Sequence, residues 1–118
     1  MSGRRKFNGF PKWQSPKTKD KFIQITHTLL NHSSFTTLKR SSQMLYMYMR
    51  DYSNGNYEFT YPYKIYKNIF SKQGFQIALN ELIEHGFLEI KASGRYTRTE
   101  NIYQFSAKWI DYISPKNK

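Results

Sequence analysis

The sequence predicts an α+β domain with a three-helix core and a small antiparallel sheet, and three observations within residues 61–101 predict it. Pro62 opens one helical segment, Ser71 opens a second after the break at Phe70-Ser71, and Gly86 closes that second segment just before two short alternating stretches. Proline suits a first helical turn because its missing N–H has no partner there in any case, and a serine at the entry offers an acceptor to the free amides. Glycine at the exit takes the left-handed conformation that ends many helices. The order is helix, turn, helix, hairpin.

Taken in chain order, Phe22-Ile23-Gln24-Ile25 reads as a short strand, residues 26–31 as a brief helical turn, and His32-Ser33-Ser34 as a polar connection. Residues 38–52 place Leu38, Leu45, Tyr48, Met49 and Tyr52 near the i, i+3, i+4, i+7 rule, which predicts a first long helix. Tyr46 and Met47 then fall on its opposite side, as a candidate dimer surface. Ser53-Asn54-Gly55-Asn56 ends that helix with residues that accept positive φ. Residues 57–60 are extended. The second helix starts near Pro62, capped by Thr60 or Tyr61, and buries Ile65, Tyr66 and Ile69. The third is capped by Ser71, buries Phe75, Ala78, Leu79, Leu82 and Ile83, and turns Lys72, Gln73, Gln76 and Asn80 outward. Residues 87–91 and 101–105 are strands, with Leu88 and Ile90 on one face of the first and Tyr103 and Phe105 on one face of the second. Trp109, Ile110 and Ile113 suggest a short closing helix.

A chain of 118 residues argues for one domain, here 22–113, with a basic arm at 1–21 and a frayed end at 114–118. The net charge of +11 speaks for a polyanionic partner. Six of those eleven charges come from residues 1–21, where Arg4, Arg5, Lys6, Lys12, Lys17, Lys19 and Lys21 face Asp20 alone. Phe7, Phe10 and Trp13 lie among them, and rings in a charged arm ask to be docked on the domain, a partner subunit or nucleic acid. The absence of cysteine rules out disulfides and thiolate metal sites. No secretory segment and no run of roughly 18 apolar residues is visible, so a cytoplasmic protein without a membrane partner is expected.

A second helix presented beside a β-hairpin in so basic a chain is the arrangement of a winged helix-turn-helix that meets duplex DNA. In such a domain Lys72, Gln73, Gln76 and Asn80 would read base edges, since Gln and Asn pair bidentately with adenine and Lys reaches guanine or phosphate. The hairpin tip carries Arg95, Tyr96, Thr97 and Arg98 with no acid before Glu100, which suits phosphates or a narrow minor groove. Lys64 and Lys67 on the second helix, with Arg4, Arg5, Lys6 and Lys12 in the arm, are candidate backbone clamps.

Residues 59–63, Ser71-Lys72-Gln73-Gly74-Phe75, 78–82 and Gly86-Phe87-Leu88 resemble winged-helix domains of replication and conjugation proteins from Gram-positive plasmids, phages and conjugative transposons. The resemblance spans about eighty residues. It implies a DNA-binding protein of a mobile element, acting at an origin of transfer or replication, with a relaxase or replication enzyme as partner and a homodimer as one assembly it allows. The further domains of larger replication initiators have no counterpart in this sequence.

Other chemistries find less support. His27, His32 and His85 lack the spacing of a metal set and read as surface or satisfied structural histidines. There is no glycine-rich phosphate loop with a lysine, and the acids are scattered, so neither an enzyme nor a cofactor is expected. A repressor of the element's operon, a single-stranded nucleic acid or RNA binder using exposed aromatics, and a protein-interaction module are the alternative readings.

Overall fold

The computed structural model describes residues 21–92 and 100–112. Among these, five α-helices and three antiparallel strands follow in the order α1 (His27–Asn31), α2 (Ser33–Thr36), α3 (Arg40–Ser53), β1 (Glu58–Phe59), α4 (Tyr63–Tyr66), α5 (Lys72–Glu84), β2 (Leu88–Ala92) and β3 (Ile102–Phe105). A 3₁₀ turn at Lys108–Asp111 ends the described chain. The α+β class and the small antiparallel sheet expected from the sequence are present.

The helices start and stop where local chemistry tells them to. Thr26 accepts from the Leu29 N–H to begin α1, and Ser71 accepts from the Gly74 N–H at 2.9 Å to begin α5. Asn54 (φ 54°) and Gly55 (φ 84°) turn the chain out of α3, and Gly86 (φ 89°) turns it out of α5. Gly86 has a second reason to be glycine: a Cβ there would lie 2.5 Å from the Trp109 backbone nitrogen and 2.7 Å from the Lys108 carbonyl carbon. The 3₁₀ turn seats on this bare spot, donating Trp109 N–H to Gly86 O at 3.0 Å and stacking the Trp109 ring parallel to Phe87.

The strands run β1–β3–β2, with Phe59 opposite Tyr103 and Tyr103 opposite Ile90 on the side turned toward the helices. Glu58, Gln104 and Glu89 form the outward row, joined by Lys91 to Glu58 and Lys108 to Glu89. These exposed pairs hold the Glu89 carboxyl below and the Lys91 and Lys108 ammonium groups above their ordinary ranges, chiefly through the hydrogen bond in each pair. Between helices and sheet lies the core, centred on Leu45, Met49, Leu79, Leu82, Phe87 and Leu88, all essentially fully buried. A side chain of α5 also ties down the entry to α3: Glu81 Oε1 accepts the N–H of Lys39, the residue before the helix, at 2.9 Å and from 42 residues away.

Several elements differ from the sequence expectation. Phe22-Ile23-Gln24-Ile25 forms no strand, because its Gln24 carbonyl is taken by Arg50 Nη2 at 3.0 Å rather than by a neighbouring strand. The polar His32-Ser33-Ser34 stretch is the start of α2, with the His32 ring as its cap: Nδ1 accepts from both the N–H and the hydroxyl of Ser34. In α3 the buried stripe is Ser42, Leu45, Tyr46, Met49 and Ser53, so Tyr48 and Tyr52 are exposed and Tyr46 is core. Tyr46 packs edge-on against Phe35, Phe87 and Phe105, and Met47 packs partly buried against the core, which removes Tyr46 from any dimer surface. Pro62 stands just outside α4 with an extended ψ of 160°, and only Tyr66 of the expected stripe is fully buried, Ile69 being exposed. Ile90 shares the inner side of its strand with Leu88 but lies toward the open end and is exposed.

His32 and His85 are satisfied within the fold. His32 donates from Nε2 to Ile110 O at 3.1 Å, and His85 donates from Nδ1 to Ser34 O at 2.8 Å while its other nitrogen accepts from the Tyr112 hydroxyl. Together they stitch α2, the end of α5 and the 3₁₀ turn into one seam. His27 is exposed.

Candidate nucleic-acid interface

The apolar stripe of α5 is buried through Phe75, Ala78, Leu79 and Leu82, and this fixes the residues its opposite face presents. Lys72, Gln73, Gln76 and Asn80 are all exposed, as the spacing predicts. Gln76 Nε2 donates to Asn80 Oδ1 at 2.9 Å, which aligns the two amides one turn apart and leaves the Gln76 carbonyl oxygen and the Asn80 amino group for an outside partner. Sequence reasoning missed Ile77, which stands 47% exposed on this same face. It adds an apolar side chain between the amides of that face. The signal was present, since Ile77 falls outside the apolar stripe.

The charge along α5 opposes the helix's own dipole. Its first turn has no acid and carries Lys72, its last turn has no base, and Glu81 and Glu84 lie in the C-terminal half. The reverse distribution would stabilise the helix by roughly 0.3–1 kcal/mol per charge. This polarity builds instead a positive N-terminal end with free backbone donors. Residues 60–80 hold Lys64, Lys67 and Lys72 and no acid at all. Lys64 and Lys67 are exposed on and just after α4, on the run that leads into α5.

Beside the start of α5 opens a cleft of ≈ 450 Å³. One wall is Tyr61, Pro62, Tyr63 and Tyr66, the second is Lys72, Phe75 and Gln76, and the third is Glu100, Asn101 and Tyr103 at the root of the hairpin. Its aromatic floor is a ring stack, with Tyr66 on Phe75 at 4.0 Å and 8° and Tyr61 beside Tyr66 at 5.9 Å and 12°. Lys72 Nζ sits 4.7 Å above the centroid of the half-exposed Tyr63 ring, a cation–π contact. Burial pushes the Tyr61 phenol up to about 12 and raises Tyr66 and Tyr103 as well. The hairpin root and the α5 N-terminus thus share one concave surface. The pairing of β2 with β3 shifts register between Ile90 and Ala92, near the end of the strand.

Arg95, Tyr96, Thr97 and Arg98 of the tip, and Arg4, Arg5, Lys6 and Lys12 of the arm, lie outside the described residues. The described residues themselves carry nine basic against seven acidic side chains, and the remaining ten basic residues face one acid. Among the described residues no group of three or more histidines or carboxylates is placed to hold a metal ion, and no helix is long and apolar enough to cross a membrane. No family model, no curated protein and no solved structure matches this chain.

Proposed function

We propose that the chain is a winged helix-turn-helix protein that binds duplex DNA in a sequence-specific way, with α5 as the groove-reading helix and the hairpin between β2 and β3 as the wing. The order α3, β1, α4, α5, β2, β3 with strand order β1–β3–β2 supports the fold reading. The observation that carries the function is the acid-free run of residues 60–80, from which Lys72, Gln73, Gln76 and Ile77 stand exposed, with Lys72 and Gln76 beside the hairpin root. Lysines hold the phosphates, the amides and Ile77 contact base edges, and Arg95 and Arg98 extend the grip from the wing. The sequence resemblance directs the process to an origin of transfer or replication on a mobile element, with a relaxase or replication enzyme as partner.

Fluorescence anisotropy on duplexes from the element's intergenic regions tests the binding. The logarithm of the association constant should fall against the logarithm of salt with a slope of about −4 to −6. A flat response, or an Arg95→Ala/Arg98→Ala double variant that binds as well as the parent, overturns the reading. Footprinting distinguishes processes, since protection beside a nick site or replication origin fits this proposal and protection over a promoter marks a repressor.

A further inference from the structure

We propose that the cleft between α4, the start of α5 and the hairpin root takes a single unpaired nucleobase, so that the protein prefers duplex carrying an extrahelical nucleotide over the fully paired form. This inference rests on the DNA-binding reading. The cleft's ≈ 450 Å³ falls within the roughly 300–1,000 Å³ of small-molecule clefts, which is room for a nucleotide and far too little for a duplex. Its floor rings, Tyr61, Tyr66 and Phe75, are buried and stacked on one another, which leaves the half-exposed Tyr63 ring on the wall as the surface on which a flat heterocycle of any sequence can stack.

Two charged groups discriminate between ligand classes. An aromatic pocket with a carboxylate otherwise suits an ammonium ligand, but Lys72 already places its own ammonium over Tyr63 and would repel a second cation. A nucleotide resolves both charges: Lys72 moves onto its phosphate as the base covers the Tyr63 ring, and Glu100 accepts from a base N–H. Glu100 is otherwise hard to place, because a carboxylate sharing a cleft with Lys72 works against phosphate binding. Gln76 offers an amide for the remaining base edge, its carbonyl oxygen being unused in the bond to Asn80.

The experiment compares two hairpin duplexes of one sequence, fully paired and with a one-nucleotide bulge, by anisotropy at fixed salt, with each of the four bases in the bulge. The bulged form should bind about tenfold tighter, within the range of stacking one base on an aromatic ring. Tyr63→Ala should bring the bulged-to-paired ratio to about one, and Tyr63→Phe should keep it. Glu100→Gln should weaken preference for bulged cytosine and guanine relative to thymine. Circular dichroism shows each variant folded, as expected for changes at two exposed positions. Equal binding of the two duplexes by the parent overturns the cleft assignment and leaves the duplex reading standing, as does a bulge preference that Tyr63→Ala does not change. Failure to bind either duplex removes the DNA-binding reading and this inference with it.

Discussion

Replacing Gly86 by alanine should be among the most damaging single-methyl changes in this protein. Its φ of 89° costs an L-residue about 1–2 kcal/mol. The new Cβ would also stand 2.5 Å from the Trp109 nitrogen and 2.7 Å from the Lys108 carbonyl carbon, and both are backbone atoms that move only if the 3₁₀ turn lifts away. Lifting it breaks the Trp109 N–H to Gly86 O bond, worth about 0.5–1.5 kcal/mol, and loosens the Phe87–Trp109 stack, worth a similar amount. The total is about 2–5 kcal/mol. Gly55→Ala is the internal control, since its φ of 84° carries similar strain while nothing lies within 4 Å of the added carbon. Urea unfolding followed by circular dichroism should give a loss of about 1 kcal/mol for Gly55→Ala and at least twice that for Gly86→Ala, with m unchanged in both. Equal losses would refute the close approach of the 3₁₀ turn to the end of α5.

Four further outcomes are expected. Ser42→Ala should raise stability by about 1 kcal/mol in the same unfolding assay, because the buried Ser42 hydroxyl has no partner among the described residues. Ser71→Ala should cost about 1 kcal/mol by removing the acceptor for the Gly74 N–H, and the loss should be visible as reduced helicity. Tyr61 is a neutral acid whose folded-state value, about 12, exceeds its ordinary 10.0, so its contribution is complete below pH 10 and is lost as pH rises from 10 toward 12. Unfolding free energy measured across that window should fall less steeply in Tyr61→Phe than in the parent. Lys72→Ala should weaken duplex binding and make the salt slope shallower by about one, and an unchanged slope would remove Lys72 from the phosphate contacts.

The parts of the fold legible in the sequence are those fixed by local chemistry. Ser71, the 0, 3, 4, 7 spacing from Phe75 and the glycine at 86 define α5 without reference to anything else. The buried stripe of α3 lies about one position out of phase with its apolar spacing because tyrosine is amphipathic: Tyr46 fills the core with its ring while Tyr48 and Tyr52, equally apolar by composition, stay outside. The helix α2 is hidden because its cap is a histidine ring acting on Ser34 rather than a serine or aspartate at the entry. At the candidate site, Lys72, Gln73, Gln76 and Asn80 are legible as the complement of a buried stripe. The cleft is not, since Glu100 and Asn101 approach Tyr63 and Lys72 only through sheet pairing, and no spacing rule encodes that approach.

The near balance of basic and acidic side chains over the described residues has a practical consequence. Among these residues there is little self-repulsion for added ions to screen, and the two exposed sheet pairs contribute weakly at any ionic strength. Adding salt should therefore release a bound polyanion at concentrations that cost this pairing little, making ionic strength a dial for grip more than for the sheet.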